Sequence, residues 1–124
     1  MNATDLMIGD WVQVSLANKI GQIYRIDMAN GIGNEYAALI DGDFDCADLK
    51  PIPLTTEILE KNGFKKEIDE DKIHNRYTLT ENSTAFSIKY ALSVFQWFYP
   101  IDIKYVHELQ HIMKLCGINK EIVL

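Results

Sequence analysis

Apolar and polar residues alternate in short runs from Trp11 to Cys46, interrupted by Gly, Asn and Asp, as a set of short antiparallel strands requires. Trp11-Val12-Gln13-Val14 follows a Gly9-Asp10 turn, Gly21 to Met28 alternates through Ile23 and Ile26, and Tyr36 to Ile40 leads into Asp41-Gly42. An Asp-Gly pair between alternating runs predicts a hairpin, because both central residues of a type I′ turn need positive φ. Phe44 and Cys46 are expected to face inward, and Asp43 and Asp45 to face water. Four or five such strands in about 50 residues cannot make a sandwich, so the pattern predicts a small SH3-like barrel in which curling removes exposed sheet edges.

Lys50-Pro51-Ile52-Pro53-Leu54 stiffens the chain and removes two backbone donors. It divides the pattern into an SH3-like β unit at 1–52 and an α+β unit at 53–124. Thr55 is the expected N-cap of a short helix, with Glu57 in its first turn, Ile58 and Leu59 as its apolar face, Asn62-Gly63 as its left-handed stop and Phe64 folding back on the last turn. So short a helix must pack on a sheet. After the charged stretch Glu67 to Lys72, Ile73 to Thr80 and Phe86 to Leu92 read as strands paired around Glu81-Asn82-Ser83-Thr84, and a further strand is expected at Val94 to Tyr99. Tyr105 to Cys116 carries the clearest helical period and stops at Gly117. The expected fold is α+β, its second half an antiparallel sheet of three or four strands with the C-terminal helix packed on it.

With 124 residues, 48% hydrophobic and 24% charged, the chain has the profile of one ordinary globular domain or two very small ones. A net charge of −6 argues against attachment to nucleic acid, which needs clustered Lys and Arg. The charge is uneven: eight acidic and three basic residues up to Thr55, ten and nine thereafter. Cys46 and Cys116 stand far apart with no partner at metal spacing, so no disulfide framework or zinc ribbon is expected, and both read as small buried side chains. The most apolar stretch, Tyr90 to Ile103, is broken by Gln96, Pro100 and Asp102, and Met1-Asn2-Ala3-Thr4-Asp5 lacks the basic and apolar run of a leader. A cytoplasmic protein without membrane attachment is therefore expected.

One motif carries explicit chemistry. His107-Glu108-Leu109-Gln110-His111 matches H-E-x-x-H on a predicted helix, where imidazoles at i and i+4 can share a zinc ion and the carboxylate can act as general base on a zinc-bound water. Against it, the position of a third histidine in the metzincin pattern is Gly117, and only Glu121 remains for a downstream carboxylate. At 100° per residue Tyr105, Val106, Leu109, Ile112, Met113 and Cys116 form the apolar stripe, which puts both histidines on the solvated side with Lys104 and Lys114 nearby. His74 is the remaining histidine, and nothing in the sequence brings it to the pair.

Weaker patterns have simpler explanations. Asp41-x-Asp43-x-Asp45 begins like a calcium loop, but Cys46 and Ile52 occupy the positions that need Gly and the bidentate Glu. Gly31-Ile32-Gly33 lacks the third glycine of a phosphate cradle. The aromatics Phe95, Trp97, Phe98 and Tyr99 have only Lys89 and Lys104 for company, so core packing is favoured over base stacking.

Three segments, Leu6-Met7-Ile8-Gly9-Asp10-Trp11-Val12, Pro51 to Phe64, and Tyr105 to His111 continuing through Leu115-Cys116-Gly117-Ile118, together resemble a family of small uncharacterised proteins encoded by phages and mobile elements of gut anaerobic bacteria. The resemblance spans the chain, implies an intracellular, phage-related setting and supplies no catalytic residues. The expected function is a non-enzymatic protein-interaction module with a protein partner and no cofactor. The alternatives are a minimal zinc hydrolase using His107, Glu108 and His111, and an acidic N-terminal half that mimics nucleic acid toward a basic protein.

Overall fold

The computed structural model describes residues 1, 5–15, 19–28, 35–39, 42–68, 70, 74–81, 83–91, 94–97 and 101–124. Their contacts divide into two compact units, Met1–Ile52 and Pro53–Leu124.

Among the described residues the first unit holds six strands, β1 (Trp11–Val14), β2 (Lys19–Gln22), β3 (Arg25–Met28), β4 (Glu35–Leu39), β5 (Gly42–Asp45) and β6 (Leu49–Pro51), with a 3-10 turn at Cys46–Asp48. They form two three-stranded antiparallel sheets, ordered β2-β1-β6 and β3-β4-β5. Val12 lies opposite Gly21 and Pro51, and Val14 opposite Lys19 and Leu49, so Val12, Val14 and Leu49 share one face. That face joins Leu6, Ile23 and Cys46 in a buried core, with Ile26 and Phe44 packed against it. Burying each such aliphatic side chain contributes roughly 1.5–3 kcal/mol.

Three expectations need correcting here. The described strands make two sheets and no closed barrel, because the run expected to continue from Gly21 to Met28 breaks at Ile23-Tyr24 and its halves pair with different neighbours. The hairpin expected at Asp41-Gly42 forms, β4 pairing with β5, but Gly42 opens β5 opposite Leu39 instead of sitting inside the link, whose residues 40 and 41 lie outside the described residues. Asp45 is half-buried, and its Oδ1 accepts the Ala47 amide at 3.0 Å and so caps the 3-10 turn.

The second unit begins with α1 (Thr56–Lys61) and continues through β7 (Lys65–Ile68), β8 (Asn75–Glu81), β9 (Thr84–Ala91), β10 (Val94–Gln96), β11 (Asp102–Ile103) and α2 (Val106–Leu115). The sheet is five-stranded, ordered β11-β10-β9-β8-β7 and antiparallel throughout. It exceeds the expected three or four strands because the charged run Lys65–Ile68 pairs as an edge and because two residues suffice for β11. Tyr77, Leu79, Phe86, Ile88, Phe95 and Ile103 are buried on one face, as are Leu59 of α1 and Val106, Leu109 and Met113 of α2. The opposite face carries Arg76, Thr78, Ser87 and Lys89, the alternation expected of a sheet with one wet side.

Both helices end alike. Thr55 caps α1 by accepting the Ile58 amide at 3.3 Å. Its C-terminus closes with Phe64 N–H on the Leu59 carbonyl and Gly63 N–H on that of Glu60, while α2 repeats the pattern with Ile118 on Met113 and Gly117 on Lys114. Gly63 and Gly117 sit at φ of 88° and 75°, where a Cβ is strained.

Candidate functional site

The H-E-x-x-H segment lies in the first two turns of α2. Glu108 is the third helical residue, and its Oε1 accepts the amides of both Lys104 and Tyr105 at 3.0 Å. It therefore supplies the carboxylate half of a capping box, satisfying donors that every helix leaves open at its start. His107 and His111 are brought together: their rings meet edge to face with centroids 5.5 Å apart, and Tyr105 stacks on His107 at 5.9 Å. The expectation that both histidines face water fails for His107, which is 8% exposed. Helical periodicity fixes a residue's angle about the axis but not what covers that angle, and here the Tyr105 ring lies over the first turn.

The same limit explains Cys116, which was placed on the apolar stripe and expected to be buried. It is the exposed C-cap of α2, beside Leu115 at 82% exposure, while Cys46 is buried as expected. Among the described residues no three His, Cys, Asp or Glu side chains are grouped to hold a metal ion, and His74 stays apart from the pair. Asp45 serves the 3-10 turn, and Gly31-Ile32-Gly33 lies outside the described residues. Asp10, 2% exposed, accepts the Met7 amide at 2.8 Å and closes the turn that carries Gly9 at φ 96°.

Two features have the form of recognition sites. The first is in the first unit. Gly9 N–H donates to the Ile23 carbonyl, Ile23 N–H to that of Asp10, and Gln22 Nε2 to that of Gly9, which sets the Met7–Asp10 turn against Ile23-Tyr24. On these segments and the adjoining β2, Ile8 is 60%, Tyr24 53%, Ile20 52% and Met7 38% exposed.

The second is a cavity of about 330 Å³ in the second unit, lined by Leu54, Thr55, Thr56, Glu57, Tyr90, Val94, Phe95, Ile103 and Lys104. Tyr90 pairs with Phe95 and Phe95 with Ile103, so three neighbouring strands present these side chains in one row. Leu54 N–H donates to the Lys104 carbonyl at 3.0 Å and Pro53 bridges to Tyr105, which fixes the wall that leads into α1. Burial pushes the nearby Tyr77 hydroxyl above its ordinary range, and Glu60, Tyr90 and Glu57 push it further in the same direction. This cavity was not visible in the sequence, because its lining comes from four separated segments, none with a motif of its own.

Among the described residues no helix is long and apolar enough to cross a membrane. Comparison with protein-family models, curated proteins and solved structures gives no match for this chain.

Proposed function

We propose that the protein is a non-enzymatic protein-interaction module that docks a partner segment through the apolar surface of its first unit. The observation that carries this reading is that Met7, Ile8 and Tyr24 are exposed large side chains on two segments joined by the hydrogen bonds of one turn, with a further exposed one, Ile20, on the adjoining β2. Large apolar side chains gathered at the surface of a small protein mark contact sites, whereas isolated ones are ordinary. The first unit also holds most of the chain's excess acid, so the partner segment has an apolar anchor flanked by Lys or Arg. An SH3-like arrangement is the finer reading of this unit. It is supported by β1 pairing with both β2 and β6, by the β3-β4-β5 meander, and by the 3-10 turn that leads into β6.

The zinc-hydrolase reading gains no support from Glu108, whose Oε1 is committed to the two helix-opening amides. A displayed peptide library selected on the full chain tests the interaction reading. Selected sequences should combine an apolar residue with basic neighbours, bind more weakly at high salt, and lose tenfold or more in affinity (about 1.4 kcal/mol) on Ile8→Asp or Tyr24→Asp, with the melting temperature unchanged. Peptides that bind both variants as well as the parent would overturn it.

A further inference from the structure

The cavity of the second unit is not used by the proposed docking surface. We propose that it binds a small aromatic zwitterion, of the class of a free aromatic α-amino acid. Its volume of about 330 Å³ stands at the small end of ligand sites, enough for one such molecule and too little for a longer peptide. The floor is apolar and aromatic: Leu54, Phe95 and Ile103 are 7%, 5% and 0% exposed, and the Tyr90 and Phe95 rings lie 4.6 Å apart at 40°. A third ring can extend that pair in an offset or edge-on arrangement.

The rim sets the charge of the ligand. Glu57 and Lys104 both line the cavity, come from different segments, and form no ion pair with each other or with any other described residue. Lys104 is held by its main chain, with N–H on Glu108 and carbonyl accepting Leu54, which fixes it among the residues lining the cavity. The Thr55 hydroxyl is committed to the Ile58 amide and the Thr56 hydroxyl donates to Glu57 Oε2 at 3.4 Å, so Glu57 and Lys104 are the charged groups of a rim that also carries the Tyr90 hydroxyl. A ligand carrying an ammonium and a carboxylate on one carbon can meet both at once, whereas a ligand with one charge leaves the other rim group unmatched.

Calorimetric or NMR titration of the full chain with L-phenylalanine tests this, with phenethylamine and 3-phenylpropionate as the two single-charge controls. The expected result is saturable binding of L-phenylalanine, with each control and the Lys104→Gln and Glu57→Gln variants weaker by about tenfold or more. Both substituted side chains are exposed, and a thermal melt of each variant verifies folding. Should Glu57→Gln perturb α1, Lys104→Gln and the two controls still decide the question. No saturation by about 10 mM, or equal affinity for the single-charge analogues, overturns the proposal.

Discussion

Asn62 holds Val123 by both of that residue's main-chain groups. The Val123 amide donates to Asn62 Oδ1 at 2.8 Å, and Asn62 Nδ2 donates back to the Val123 carbonyl at 2.8 Å while also reaching the Ile58 carbonyl at 2.7 Å. The side-chain amide thus acts as a peptide group in a β-bridge, tying the C-terminal segment to the end of α1. It is 3% exposed, so its polar atoms depend on these partners and not on water.

Asn62→Ala removes all three bonds and deprives the Val123 amide and carbonyl of their Asn62 partners. It should cost about 2–4 kcal/mol in urea denaturation, and Asn62→Asp, which keeps an acceptor but loses both donations, should be no better. A loss under about 0.5 kcal/mol for the alanine variant would show that the segment is held by Ile118 and Ile122 alone.

Glu108 distinguishes a helix cap from a catalytic base. Glu108→Ala should lower stability by about 1 kcal/mol with or without chelator, and Glu108→Gln should restore most of it, because an amide oxygen still accepts from Lys104 and Tyr105. A Glu108→Ala loss that disappears in chelator would instead tie this residue to a metal.

The two histidines should respond differently. His107 is buried under the Tyr105 ring and its replacement by Ala should cost about 1–3 kcal/mol, whereas half-buried His111 should cost less than about 1 kcal/mol. Equal losses in thermal melts of the two variants would contradict this placement.

Tyr77 predicts the alkaline limit. The folded state holds the phenolic proton more tightly than the unfolded chain, so this contribution is complete below the ordinary tyrosine value of 10.0 and is lost as pH rises toward the raised folded value. Above about pH 10 this group makes stability fall as pH rises, and Tyr77→Phe should remove that part of the fall. Denaturation curves for parent and variant at pH 8, about 10 and about 11 measure the difference.

The β8–β9 hairpin can be improved. Glu81 pairs with Thr84, leaving two linking residues, of which Ser83 sits at φ 67°. Ser83→Gly creates the Asn-Gly pair that such turns favour and should stabilise by about 0.5–1 kcal/mol. A lower melting temperature would mean that the entropy Gly gains in the unfolded chain outweighs the relieved backbone.

What the sequence determined by itself is local. Thr55 as cap, Gly63 and Gly117 as left-handed stops, the alternation from Asn75 to Tyr90 and the apolar period of α2 each depend on residues a few positions apart, so side-chain chemistry and backbone geometry decide them together. Tertiary structure decided the rest. Lys65–Ile68 has no apolar alternation and becomes a strand only because β8 offers it a ladder, with Arg76 Nη2 paired to Glu67 across it at 2.9 Å. The two sheets of the first unit depend on where one run breaks, and burial of His107 depends on a ring stacked over it. The cavity of the second unit joins Glu57 to Lys104 across 46 intervening residues, and the Asn62–Val123 clasp spans 61 positions. Such meetings are fixed by which surfaces the packed core leaves adjacent, information that no short window of sequence contains.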